Sequence, residues 1–239
     1  MSVNQNEIKK FEAIAAEWWD PNGKFKPLHK FNPIRMGYVI KKICSIKNID
    51  FSKNKPLDKI DILDVGCGGG LVAEPLNFKG AKVTAIDPSE KNIAVAKLHA
   101  KQSKAEINYQ QTSIHDLPKS KKFSVITCLE VIEHVDDPDE FIREIAKHLK
   151  PGGILFVATL NRTLKSLLFA KFAAEYILRW LPKGTHEFDK FLKPHEITNF
   201  LEGQVKLVDA KGFSYNILSD SWQINNDLSQ NYILCFTHA

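Results

Sequence analysis

Residues 59–71 read KIDILDVGCGGGL, a short apolar run followed by four glycines in five positions. Consecutive glycines at a turn from strand to helix let the backbone approach a ligand closely, because a Cβ atom would clash there. A simple tight turn needs only one or two glycines. The dinucleotide fingerprint requires a third glycine where this chain has Leu71. We therefore expect a strand, a ligand-facing loop and a helix, with a ligand other than a dinucleotide.

Two acidic residues accompany this loop. Asp64 stands two residues before Gly66, where its carboxylate would face a cation or a hydroxyl and would repel a pyrophosphate. The next strand, AKVTAID, ends at Asp87, 21 residues after Gly66. An acid at that place accepts hydrogen bonds from ribose hydroxyls in doubly wound folds. Asp87 could instead cap the following helix, but Ser89 can do so unaided, so we predict a ribose-binding role for Asp87.

Strands and helices alternate on both sides of the loop. After the first two strands come EINYQQT, FSVITCLE and GILFVATLN, with helical stretches such as SEKNIAVAKLHAKQS and DPDEFIREIAKHLK between them. This alternation is typical of a parallel sheet with helices on both faces. QVKLVDAKGF and NYILCFTHA follow as two strands without a helical crossover between them, so they should close the sheet as an antiparallel pair. The pattern predicts an α/β fold with a mostly parallel, seven-stranded sheet.

We interpret the chain as one domain. Residues 24–38, KFKPLHKFNPIRMGY, are basic and aromatic with two prolines, and they predict an ordered but irregular loop that leads into a helix. The expected parts are an N-terminal helical cap and loop (1–59), a cofactor-binding core (60–160), an amphipathic insertion (161–195) and C-terminal strands (196–239).

Composition narrows the class of protein. A chain of 239 residues with 44% hydrophobic and 26% charged residues can bury a full core, which excludes disordered and collagenous classes. The net charge of +5 comes without a basic stripe, so we expect no nucleic-acid partner. The four cysteines have no paired spacing and the N-terminus resembles no secretory signal. These features favour a cytoplasmic location.

The glycine loop resembles motif I of class I S-adenosylmethionine-dependent methyltransferases, which have a Rossmann-like fold. Longer blocks look like those of the ubiquinone biosynthesis O-methyltransferase family, and the resemblance covers nearly the whole chain. The blocks include FEAIAAEWWDPNGKFKPLHKFNPIRMGY, LDVGCGGGL, TCLEVIEHV and PKGTH. The resemblance implies methyl transfer from S-adenosyl-L-methionine to a catechol hydroxyl of polyprenylated ubiquinone precursors, in both O-methylation steps.

The same resemblance assigns the cofactor site. Arg35 matches a cofactor contact of the family, and its guanidinium fork suits the carboxylate of the methionine part. Leu129 matches a position that contacts the adenosyl part, although an ordinary core leucine is an equal alternative. The predicted cofactor-binding residues are Arg35, Asp64, Gly66, Gly68, Asp87 and Leu129.

Glu130, Glu133 and His134 form the candidate catalytic group, because the acceptor must lose a proton before its oxygen can attack. If the segment is helical, the three side chains share one face and could ligate a divalent cation such as magnesium. Alternatively, His134 acts alone as a general base. In a third reading, the acids merely begin a helix. We predict Glu133 and His134 as catalytic residues.

Residues 163–181, TLKSLLFAKFAAEYILRWL, have a wide apolar face and basic flanks. This pattern is typical of a helix that lies in a membrane interface, and also of a core helix with a thin polar stripe. The lipophilic polyprenyl substrate favours the interface, so we expect peripheral contact with the inner face of the membrane.

Two rival functions are a nucleotide-dependent oxidoreductase and a non-catalytic scaffold in a biosynthetic complex.

Overall fold

The first part of the fold alternates strands and helices, as the sequence predicts. The computed structural model describes residues 9, 17–23, 25–167, 188–216 and 219–238. In chain order the elements begin with α1 (Lys26–Ile46), β1 (Asp61–Val65), α2 (Ala73–Phe78), β2 (Lys82–Asp87), α3 (Glu90–Ser103), β3 (Ile107–Gln111) and β4 (Phe123–Leu129). They continue with a 3-10 turn (Ile132–His134), α4 (Pro138–Ala146) and β5 (Leu149–Leu160).

The last part is mostly antiparallel. It comprises a 3-10 turn (Phe188–Lys190), α5 (Pro194–Phe200), β6 (Val205–Asn216), β7 (Ser221–Asn225) and β8 (Asn231–His238). β8 lies antiparallel to β5 on one side and to β6 on the other. The predicted antiparallel closure of the sheet is therefore confirmed.

The described strands form one sheet in the order β3-β2-β1-β4-β5-β8-β6-β7, and β1 to β5 are parallel. This arrangement confirms the predicted fold class, with one strand more than the seven expected. The additional strand is β7, which pairs only with β6 and places Trp222 against Phe31 of α1, with ring centroids 4.5 Å apart. Its sequence, SWQIN, has no apolar run, so periodicity did not reveal it.

The prediction of an irregular loop over residues 24–38 is wrong, because most of that segment is the start of α1. Pro27 lies in the first turn of the helix, where no intrahelical N–H is needed. Pro33 lies inside the helix, where proline costs about 3 kcal/mol. A buried apolar stripe offsets this cost by packing in the core on the sheet, and it consists of Phe31, Met36, Val39, Ile40, Ile43 and Cys44.

Helices cover both faces of the sheet. Residues of α1, α2 and α3 pack on one face in a cluster that includes Val39, Leu76 and Ile93. Residues of α4 and α5 pack on the other face, with Ile142 and Ile197 in their cluster. The carboxyl ends of the parallel strands lie together at one end of the sheet, between these two layers of helices.

Most of the predicted membrane-contacting helix (163–181) lies outside the described residues, because residues 168–187 are not described. Its beginning, residues 164–167, is helical. Among the helices that are described, none combines the length and the apolar character needed to cross a bilayer.

Candidate active site

The candidate site lies where the strand order reverses, between β1 and β4. The chain passes from β1 to β2 on one side and returns to β4 on the other, so a crevice opens outside the carboxyl ends of these strands. Asp64, Asp87 and Leu129 stand at the ends of β1, β2 and β4, and Gly66 begins the loop after β1. The predicted cofactor residues of these three strands therefore meet at one edge.

The glycine loop is shaped by protein side chains as well as by any ligand. Gly66 has a φ of +68°, and a Cβ atom there would lie 2.5 Å from Val131. Gly68 has a φ of +51°, and a Cβ atom there would lie 2.6 Å from the indole of Trp18. Both positions require glycine for conformation and for space. The glycine pattern alone points to a ligand as the cause of this requirement, and no local signal in the sequence indicates Trp18.

Asp87 is buried, and its carboxylate accepts hydrogen bonds from the glycine loop and from the start of α3. Its Oδ2 accepts a hydrogen bond from the backbone N–H of Gly68 at 2.9 Å. Its Oδ1 accepts from the backbone N–H of Ser89 at 2.9 Å and from the side-chain amide of Asn92 at 3.2 Å. Ser89 caps α3 through its own hydroxyl, which accepts from the Asn92 backbone. The helix therefore does not depend on Asp87 as its cap.

Asp64 is buried beside the loop. Its Oδ1 accepts a hydrogen bond from the Thr127 hydroxyl at 2.8 Å, whereas Oδ2 is buried without a hydrogen-bond partner. Burial raises the pKa of Asp64 to about 7; the Thr127 bond and the charge of Arg35 oppose the rise. This unpaired oxygen is suited to a bound donor or cation, and the cofactor-binding role of Asp64 stays a prediction.

Arg35 of α1 is only 3% exposed. Its Nη1 lies 3.4 Å from Oε1 of Glu130, and its Nη2 donates to Asn32 Oδ1 at 3.2 Å. Its Nε is buried without a partner. Burial lowers the pKa of Arg35, while the nearby carboxylates of Glu130 and Asp64 oppose that change. The guanidinium thus keeps a buried, unpaired donor at Nε, which suits an acidic ligand group.

Glu130 adopts a left-handed backbone conformation, with a φ of +59°. Such a conformation costs free energy in a residue other than glycine, and strained residues of this kind cluster at functional sites. Its Oε1 accepts from the side-chain amide of Asn231 at 3.3 Å, in addition to its contact with Arg35. The Oδ1 atom of Asn231 remains buried and unpaired. Asn231 was not predicted, because it lies 101 residues away on β8.

The condition for the predicted cation site is not met. Glu130, Glu133 and His134 do not lie on one helix, because the 3-10 turn covers only Ile132–His134 and Glu130 precedes it in a left-handed conformation. Across the described part of the chain, no group of three or more His, Cys, Asp or Glu side chains could hold a metal ion. The structure therefore does not support a divalent cation on these residues, and we derive no step from one.

Glu133 is the most deeply buried acid of this segment, at 3% exposure, and its Oε2 has no hydrogen-bond partner. Burial raises the pKa of Glu133 to about 7; the charge of Glu130 adds to the rise and that of His134 opposes it. A carboxyl group whose pKa lies near 7 can accept a proton from a substrate. His134 itself is half-buried.

A cavity of about 110 Å³ opens beside Gly66, between the ends of β2 and β3 and the turn after β4. Its lining is mostly apolar and includes Ile86, Pro88, Ser113, Ile114, Val131 and Phe141. These residues are not among the predicted site residues. The signal available was position: residues 112–115 directly follow β3, at the same edge as the glycine loop. Leu129, by contrast, is buried in the core cluster under α1.

Comparison with known proteins identifies close relatives. A family model described as a methyltransferase domain matches residues 38–204. The ubiquinone biosynthesis O-methyltransferase of Pelagibacter ubique (strain HTCC1062) is 53% identical over 236 residues, which cover 98% of each chain. The protein of the same name from Bartonella tribocorum is 50% identical over 235 residues, which cover 98% of this chain and 95% of that one.

Solved structures show the same fold at low identity. A magnesium protoporphyrin IX methyltransferase from Synechocystis PCC 6803, solved with bound SAH, superposes with a TM-score of 0.66 at 18% identity, over 99% of this chain and 95% of that one. An N-methyltransferase from Bradyrhizobium japonicum WM9 superposes with a TM-score of 0.62 at 16% identity, over 98% of this chain and 99% of that one. These likenesses confirm the Rossmann-like methyltransferase fold.

Proposed function

Because the chain belongs to the family of ubiquinone biosynthesis O-methyltransferases, we propose that it transfers a methyl group from S-adenosyl-L-methionine to a catechol hydroxyl of a polyprenylated ubiquinone precursor. Both O-methylation steps on such precursors fall within the proposal. The observation that carries it is the meeting, at one strand edge, of an apolar cavity, an unpaired Arg35 donor and the buried carboxyl of Glu133.

The residues around the glycine loop fit the cofactor. The apolar cavity beside Gly66 suits an adenine ring, and Asp87 stands next to it for the ribose. The unpaired Nε of Arg35 suits the carboxylate of the methionine part. When bound, S-adenosylmethionine supplies the methyl group on a positively charged sulfur. Asp64 would face that charge, while Gly66, Gly68 and Leu129 would contribute backbone contacts.

The acceptor belongs on the opposite side of β4, because the cavity occupies the β2–β3 side. Glu130, Glu133 and Asn231 lie there, near the ends of β4 and at the start of β8. Unpaired acceptor atoms remain on Glu133 and Asn231. Buried acceptors of this kind require donors, and a catechol brings two hydroxyl groups. We assign Glu133 as the base that takes the proton from the attacking hydroxyl, with His134 as its neighbour and alternative.

We also propose that residues 163–181 contact the inner face of the membrane, where a polyprenyl tail resides. Leu164, at the beginning of this segment, is 74% exposed. Lys165 beside it forms a solvent-exposed ion pair with Asp227 at 2.5 Å, so the segment begins next to the loop before β8. This loop directly precedes Asn231 on the acceptor side. The location proposed is therefore cytoplasmic and peripheral, and it is compatible with membership of a biosynthetic complex.

Turnover on matched acceptors tests the proposed function. The purified protein is given S-adenosylmethionine with a short-chain polyprenyl catechol, or with the matching monophenol that lacks the second hydroxyl. Each reaction is run with and without a chelator. We expect methylation of the catechol about tenfold to a hundredfold faster than that of the monophenol, because the monophenol leaves one buried acceptor without a donor. Equal rates on both acceptors, or no turnover on either despite tight binding of S-adenosylhomocysteine, would contradict the proposal.

A further inference from the structure

We propose that Trp18, which lies near the N-terminus, is a positioning residue for the carboxylate of Asp87 in the cofactor site. The inference rests on the proposed ribose-binding role of Asp87. The indole of Trp18 is packed directly against the glycine loop. A Cβ atom would lie 2.6 Å from this ring at Gly68 and 2.4 Å from it at Gly69, so both glycines are needed to admit the tryptophan.

A closed set of contacts joins Trp18 to Asp87. The indole Nε1 donates to Asn92 Oδ1 at 3.0 Å, and Asn92 Nδ2 donates to Asp87 Oδ1 at 3.2 Å. Asp87 Oδ2 in turn accepts from the backbone N–H of Gly68, the residue against which the indole packs. Every member of this set is buried. The carboxylate is therefore held from one side by the loop and from the other by Asn92.

The indole determines which way the Asn92 amide faces. An indole nitrogen can only donate, so the amide must present its oxygen to Trp18 and its NH₂ group to Asp87. Without the indole N–H, Asn92 Oδ1 would be buried without a donor, which destabilises this orientation. The amide would then hold Asp87 less firmly. Trp18 also stacks on Phe25, with centroids 4.0 Å apart, which fixes the ring in place.

The adjacent Trp19 provides a matched control. Its Nε1 donates to the backbone carbonyl of Gly69 at 2.8 Å, and its ring stacks on His99 with centroids 3.4 Å apart. Trp19 thus touches the same loop and, like Trp18, donates one hydrogen bond through its indole N–H. Its indole N–H bonds to the loop carbonyl and not to the Asn92–Asp87 pair. Loss of the Trp19 donor should affect the loop generally, whereas loss of the Trp18 donor should act through Asp87.

The test is a double-mutant cycle measured as the affinity for S-adenosylhomocysteine by calorimetry. Trp18→Phe keeps an aromatic ring and removes the N–H. We expect it to weaken binding about five- to twentyfold in the parent protein, but less than twofold in the Asp87→Ala background. Trp19→Phe should change affinity by the same factor in both backgrounds. Asn92→Ala breaks the same link from its other end and should reproduce the result if Trp18→Phe does not fold.

The possible outcomes separate the positioning role of Trp18 from the ribose-binding role of Asp87. An effect of Trp18→Phe that is equal in both backgrounds, or no effect at all, would overturn the positioning role and leave Trp18 as a packing residue. If Asp87→Ala alone leaves affinity unchanged, the ribose assignment itself is overturned, and the role of Trp18 with it. A large loss with Asp87→Ala combined with an additive Trp18→Phe would refute the Trp18 proposal alone.

Discussion

Replacing Glu133 with glutamine should slow methyl transfer and also remove part of the pH dependence of stability. Glutamine keeps the shape of the side chain but can neither ionise nor accept the substrate proton. A general base typically contributes a factor of about 10² to 10⁴ to the rate. We therefore expect kcat to fall by about that factor, while the Kd for S-adenosylhomocysteine changes less than about twofold.

The stability effect follows from the burial of Glu133. Burial raises its pKa to about 7, whereas an unfolded glutamate has a pKa of about 4.3. Between these values the folded protein binds a proton that the unfolded chain has released, so stability falls as the pH rises from about 4 to about 7. At about 1.4 kcal/mol for each tenfold difference in proton affinity, the loss reaches about 3–4 kcal/mol above pH 7. The glutamine variant lacks this loss.

Two assays check these expectations. Urea unfolding at several pH values should show a shallower fall in the free energy of unfolding for Glu133→Gln than for the parent. The kcat of the parent should rise as the pH increases through about 7, because the base must be deprotonated, and the variant should lose this rise. Glu144→Gln is the control, since Glu144 lies on α4 and pairs with Lys147 at 2.7 Å. It should leave kcat unchanged.

The reasoning on Glu133 would be refuted by either of two results. A kcat close to that of the parent, with the rise near pH 7 retained, would transfer the role of base to His134 or to water. An unchanged pH dependence of unfolding would mean that Glu133 is already ionised in the folded protein. The two measurements are independent, so the proton affinity and the catalytic role can fail separately.

Three further expectations concern other parts of the site. Burial raises the pKa of Asp64 to about 7. In urea unfolding, the free energy of unfolding of Asp64→Asn should therefore fall less steeply than that of the parent between about pH 4 and pH 7. An unaltered dependence on pH would contradict this. Arg35→Lys keeps the charge but lacks the fork, and it should weaken S-adenosylhomocysteine binding about tenfold by calorimetry; an unchanged affinity would remove Arg35 from the cofactor site. Liposomes that contain anionic lipid should sediment the protein, and they should sediment less of it at high salt or when Leu168→Ser and Phe172→Ser are combined. If that double variant is folded and binds as well as the parent, residues 163–181 belong to the core.

The parts of the fold that could be predicted were those with local signals. The alternation of strands and helices over residues 60–160 follows from the spacing of apolar residues and from the turn residues between them. Ser89 caps α3 as expected. α1 was misjudged because its prolines are tolerated: Pro27 lies in the first turn, and Pro33 is offset by packing against the sheet. β7 was missed because SWQIN carries no periodic signal and is held by its pairing with β6.

In the candidate site, too, only the features with a local sequence signal could be predicted. Asp64, Asp87 and Gly66 could be placed from their spacing around β1 and β2. The left-handed conformation of Glu130 could not be, since nothing in EVIEH distinguishes a helix from a turn. Contacts across long separations in the chain were equally hidden: Trp18 meets Asn92 across 74 residues, and Glu130 meets Asn231 across 101. Such contacts depend on tertiary packing, which local pattern does not encode.

The most direct test of the central claim follows the methyl group itself. The protein is incubated with S-adenosylmethionine labelled with ¹³C in its methyl group and with a short-chain polyprenyl catechol, and the products are identified by NMR and mass spectrometry. The account predicts one labelled methyl on a catechol oxygen for each S-adenosylhomocysteine formed. Label on carbon or nitrogen, or S-adenosylhomocysteine formed without a methylated catechol, would contradict it.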